Sequence, residues 1–114
     1  VISYIGYAIA AIVAASFIRR RMMYRAVRQN LPNYLRDGAV IVDVRSREEF
    51  GAGNVRGSVN IPLPELQAKA EKLDANKTIL LCCLSGNRSG MAVGILKSKG
   101  FKNVVNAGPW VNLA

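Results

Sequence analysis

Chemistry in this chain has few side chains to work with. There is no histidine, and the two cysteines, Cys82 and Cys83, stand side by side where the apolar run TILLCC meets LSGNRSG. Ser85, Gly86 and Asn87 are small or turn-competent, so the backbone can curl there with its amides pointing inward as an anion-binding nest. A helix starting at RSG would add unpaired N–H groups and a partial positive charge, and Arg88 adds a full one. A thiol at the mouth of such a loop is stabilised as thiolate, which makes it a nucleophile.

Two frames fit the same letters. Counted from Cys83, the loop is Cys83-Leu84-Ser85-Gly86-Asn87-Arg88. Counted from Cys82 it reads C-x5-R-S, the loop length of a phosphatase or arsenate reductase using Cys82 and Arg88. Alternation along a strand sends the two cysteines to opposite faces, so only one can face the loop. A phosphatase also needs an acidic group for its leaving group, and Asp43 is the one candidate near a strand end. The two cysteines do not form a disulfide with each other, because neighbouring Cα atoms lie about 3.8 Å apart and a disulfide spans roughly 4.4–6.8 Å.

The elements that would position this loop alternate in type. AVIVDV and TILLCC are β-rich, continuously apolar runs, the pattern of strands covered on both faces. SREEF reads as a short helix capped by Ser46, with Glu49 completing a capping box. SVNIP is a short strand stopped by Pro62, and LPELQAKAEKL and RSGMAVGILKSKG carry helical spacing, the second closed by Gly100. VVN is a last strand, GPW turns the chain, and Trp110 covers the core. Strands alternating with helices predict an α/β domain with an open parallel sheet over residues 37–114. Arg45 and Glu49, four apart, are expected to pair, and Asp43 to orient Arg88 or the loop backbone; all three are read as scaffold.

The N-terminal third is of another kind. Residues 1–18, VISYIGYAIAAIVAASFI, hold no charge and as a helix would reach roughly 27 Å, enough for one N-terminal transmembrane helix. Residues 19–36 form a basic juxtamembrane helix and linker with six arginines and no acid, supplying +6 of the formal net charge of +9. Within it, Asn30 and Pro32 are expected to end one helical stretch and begin a connector. Charge after the apolar run is the reverse of a secretory signal. It predicts a single-pass membrane protein with its N-terminus outside and its catalytic domain cytoplasmic. Gly6, Ala10 and Ala14 share one helix face and offer a homodimer contact. The arginines cluster beside the apolar segment without interleaved stacking aromatics, which argues against nucleic acid as a partner.

DVRSREEF, NVRGSVNIP, LCCLSGNRSG and VVNAGPW, in that order, resemble the single-domain rhodanese (thiosulfate sulfurtransferase) family over about residues 37–110. The resemblance implies a rhodanese-like fold with Cys83 as nucleophile. It also implies that the backbone of Leu84, Ser85, Gly86, Asn87 and Arg88 cradles the sulfur that Cys83 accepts as a persulfide. The implied partners are a small anionic, thiosulfate-like donor and a thiol or cyanide acceptor, with no cofactor and no metal. Asn54 stands where the family commonly has histidine, QNLPNYLRDG is a weak version of a further strand, and the chain after GPW is short. The fold can also persist without activity, so a membrane-held binding module is a third expectation.

Overall fold

A computed structural model describes residues 2–114, with side chains from residue 3 onward. In chain order the elements are α1 (Ile2–Arg36), β1 (Val40–Asp43), α2 (Arg47–Ala52), β2 (Val59–Asn60), α3 (Leu63–Lys69), β3 (Ile79–Cys83), α4 (Asn87–Ser98) and β4 (Val104–Pro109). A 3₁₀ turn comes after α3 at Ala70–Lys72, and another closes the chain at Trp110–Leu113. The expected strands and helices from β1 onward all form. Ser46 accepts from the Glu49 amide while the Glu49 carboxylate accepts from the Ser46 amide, so the capping box is in place.

The four strands form one sheet in the order β2-β1-β3-β4, with every pairing parallel. Every residue of β3 is buried, which is why its sequence is apolar without alternation. The two faces feed two cores. Val42, Leu81 and Cys83 join Leu66, Ala92 and Leu96 beneath α3 and α4. Ile41, Leu80 and Cys82 join Val27, Val55, Ala107 and Leu113 on the other side. Between β3 and β4 the register slips, Leu81 opposing Asn106 and Cys82 opposing Gly108, so Ala107 is an inserted residue. Such a bulge bends the strand end and re-aims the residues beyond it.

Residues 19–36 are helical but are more than a linker. Val27 is buried, and Leu31 and Tyr34 pack against the core that holds Cys82, so the last third of α1 belongs to the domain. Asn30 and Pro32 do not divide the helix, which runs unbroken to Arg36. Pro32 costs one backbone hydrogen bond there, and the docking of Val27, Leu31 and Tyr34 on either side of it outweighs that loss. The stretch QNLPNYLRDG is accordingly the end of a helix and not a strand.

The first half of α1 has no such support. Residues 3–20 are exposed around the whole helix, Tyr4, Ile12 and Phe17 among them. The expected spanning helix over residues 1–18 is not carried by this structure. Among the described residues no helix is long and apolar enough to cross a membrane; Val1, where that expectation begins, lies outside them.

Candidate active site

β3 ends at Cys83 and α4 begins at Asn87, which leaves three residues to reverse the chain. Gly86 makes this possible: it takes φ +101° at the helix N-cap, a left-handed conformation that a side chain would resist. The turn aims amides at the cysteine. The Gly86 amide donates to Cys83 Sγ at 3.0 Å and the Ser89 amide, in the first turn of α4, donates at 3.4 Å. Ser89 Oγ lies 3.4 Å from the same sulfur. Burial pushes the Cys83 thiol up, but the Ser89 hydroxyl and the amides of Ser89, Gly86 and Ser85 outweigh it, so the thiol ionises below its ordinary value.

Cys82 faces the other core. No hydrogen bond reaches its sulfur among the described residues, and burial, reinforced by the negative charge of Asp43, pushes its pKa up to about 12. The frame that starts from Cys82 therefore lacks both the anion cradle and a usable thiolate. Asp43, its candidate acid, is buried and holds both oxygens against Arg45.

The expected pairings exchange partners. Arg45, 3% exposed, binds Asp43 through Nε at 2.9 Å and Nη2 at 2.7 Å. Its remaining donors reach the Glu49 and Gly53 carbonyls, and its guanidinium lies over the Trp110 ring, 4.6 Å from the centroid. The Glu49 carboxylate instead grips Arg88 at both oxygens, 2.7 and 2.9 Å. The four-residue spacing misled because Arg45 lies at a strand end and not on the helix. Arg88, with the capping amide of Ser46 second, pulls the Glu49 pKa down to about 2. Arg88 is thus held at the loop with its charge partly balanced.

Of the sequence-selected residues, Cys83, Ser85, Gly86 and Arg88 converge. Leu84 is 60% exposed and points out of the cradle, contributing backbone alone. The Asn87 side chain also leaves the site, its Oδ1 accepting from Arg20 of α1 at 3.3 Å. Sequence reasoning missed two residues. Ser89, at the start of α4, gives its amide to the sulfur and sets its hydroxyl against it. Asn106, at the bulge, takes a 2.7 Å hydrogen bond from Ser89 Oγ and gives one of 3.0 Å to the Gly86 carbonyl. It braces both ends of the cradle from β4, and only the pairing of β3 with β4 reveals it.

Residues 27–107 match the family described as Rhodanese-like domain. A Bacillus subtilis (strain 168) protein named putative sulfur carrier protein YrkF is 44% identical over 69 residues, covering 60% of this chain and 37% of that protein. The Escherichia coli (strain K12) thiosulfate sulfurtransferase PspE is 36% identical over 75 residues, covering 64% of this chain and 72% of that protein. A solved structure described as rhodanese with anions from E. coli superposes with a TM-score of 0.63 at 35% identity, over 68% of this chain and 93% of that one. This chain thus spans little more than a third of the Bacillus relative and most of the E. coli one.

Proposed function

The chain belongs to the rhodanese-like family, and from that premise we propose that it moves a sulfane sulfur from a thiosulfate-like donor to a thiol or cyanide acceptor through a persulfide on Cys83. The observation that carries this reading is the convergence of the Gly86 and Ser89 amides on Cys83 Sγ. The Cys83 thiolate attacks the sulfane sulfur, the donor's S–S bond breaks, and sulfite leaves with the electron pair. An acceptor thiolate or cyanide then attacks the outer sulfur and releases Cys83 as thiolate. Arg88 draws the anionic donor to the loop, and the amides of residues 84–88 hold the charge that has moved onto the added sulfur.

The test is intact mass after incubation with thiosulfate. A gain of one sulfur atom that disappears on adding cyanide supports the reading, and its absence from the wild type refutes it.

We also propose that the exposed apolar half of α1 attaches the domain to a bilayer with the arginines at the cytoplasmic headgroups. What supports this is the run of exposed apolar side chains ending at Arg19–Arg21. Gly6, Ala10 and Ala14 would then face a second copy. Flotation with anionic and with neutral vesicles tests attachment, and cross-linking in the bound fraction tests the pair.

A further inference from the structure

One buried side-chain polar atom lacks a hydrogen-bond partner among the described residues: the hydroxyl of Tyr24. Leaving such a group unpaired forfeits its hydration without a replacement, so native structures rarely do it without a use. Tyr24 lies where α1 passes the carboxyl ends of β3 and β4. Its ring lies flat against Gly108, where a Cβ would come within 2.7–2.8 Å of Cγ, Cδ1 and Cδ2. Its hydroxyl reaches Gly86, where a Cβ would collide with it. Gly86 is the residue whose amide holds Cys83 Sγ, so the unpaired hydroxyl stands against the wall of the sulfur cradle.

Nearby acceptors are committed. Asn106 faces the Tyr24 hydroxyl and weakly favours its ionisation, without reaching hydrogen-bond geometry; its Oδ1 already accepts from Ser89 Oγ and the Gly108 amide, and its Nδ2 donates to the Gly86 carbonyl. Burial, with negative charge on Cys83 adding to it and Arg20 opposing, raises the Tyr24 pKa above its ordinary value. The phenol stays neutral and keeps its proton to donate.

We propose that Tyr24 Oη is the hydrogen-bond donor for the outer sulfur of the Cys83 persulfide, unpaired while the site holds no sulfur and paired once it does. The proposal rests on the sulfur-transfer reading of this site. When the Cys83 thiolate takes sulfur from thiosulfate, the negative charge moves from Sγ to an atom one S–S bond, about 2.05 Å, further out. The loop amides share that charge, and one further donor at the outer sulfur completes their cradle. A donor left free by the sulfur-free protein is the economical answer. Arg20, one helical turn before Tyr24 and bonded to Asn87, ties the same stretch of α1 to the loop.

The test compares wild type with Tyr24→Phe, which keeps the ring on Gly108 and deletes only the hydroxyl. The equilibrium constant for loading from thiosulfate is measured by intact mass at several sulfite concentrations, and the iodoacetamide pH profile of sulfur-free Cys83 is measured beside it. Loading about tenfold weaker, with the alkylation profile within twofold of wild type, is expected for a donor to the charged outer sulfur. Unchanged loading overturns the proposal. So does a loading loss matched by an equal change in the alkylation profile, because that is what a loosened cradle would give.

Inorganic polysulfide provides the second arm. Attack by the thiolate on tetrasulfide gives the same persulfide and releases trisulfide. If wild type loads from polysulfide and not from thiosulfate, the donor assignment falls and the Tyr24 effect is still read from the ratio of polysulfide loading constants. If Cys83 loads from neither, both readings fall.

Discussion

Cys82 and Cys83 are consecutive, equally buried and carried by one strand, yet they live in different chemistry. On one face the sulfur meets backbone amides and the first turn of a helix; on the other it meets aliphatic side chains and the field of a carboxylate. Burial acts on both in the same direction. What separates them is whether hydrogen bonds to the thiolate repay the lost water, and β alternation decides which cysteine receives them.

The largest consequence is for sulfur loading. Cys83→Ser should show no mass gain with thiosulfate and no transfer to cyanide, whereas Cys82→Ser should still gain one sulfur atom. Intact mass on the two variants is decisive, and loading retained by Cys83→Ser would reverse the assignment of the faces.

A second expectation reads the faces without any substrate. Near pH 7, a thiol with a pKa of about 12 has a thiolate fraction on the order of 10⁻⁵, against a few per cent for an ordinary thiol and more for one shifted down. Iodoacetamide should therefore modify Cys83 at least about 100-fold faster than Cys82. The Cys83 rate should reach its plateau at a lower pH than a free cysteine does. Peptide mapping against time at a series of pH values checks both statements.

How much of this was legible in the sequence depends on where each piece of information lies. β1, β3 and the helices between them declare themselves through local pattern, and the capping box at Ser46 is a four-residue signal that the fold repeats unchanged. Gly86 could be chosen because a tight strand-to-helix turn demands a residue tolerant of positive φ. Partner choice between distant elements left no local mark. Glu49 and Arg88 are brought together only when α2 and the loop gather at one end of the sheet, and Tyr24 meets Gly86 across more than half the chain. The i,i+4 rule for Arg45 and Glu49 failed because it describes helices, and Arg45 precedes one. For α1, hydropathy registered the exposed apolar half, while the docked half hid among arginines because Val27, Leu31 and Tyr34 form only a thin apolar stripe.

The two ion pairs extend the comparison to stability. Asp43 and Arg45 are almost wholly buried, 0% and 3% exposed. Asp43→Ala would leave a guanidinium enclosed without its counter-charge, a loss of about 3–5 kcal/mol. Urea unfolding should show that destabilisation. If Asp43→Ala instead unfolds like wild type, the pair is not what fixes the strand end.

Glu49 and Arg88 are each about one-third exposed, where solvent screens an ion pair and its removal costs less. Glu49→Gln keeps the length, the capping interaction and one hydrogen bond to Arg88, but frees the arginine's charge and loosens its aim. Loading from thiosulfate should change by about two- to fivefold, a smaller effect than any above. Its pH signature is more telling. The folded-state pKa of Glu49 is drawn down from 4.5 to about 2, so its carboxylate contributes stability that is fully present above 4.5 and is lost as the pH falls through 2. The stability difference between wild type and Glu49→Gln should accordingly be constant from neutral pH down to about 5 and shrink between there and 2. A difference that grew on acidification would mean that Glu49 is protonated more readily in the fold than out of it, and that Arg88 is not its partner in solution.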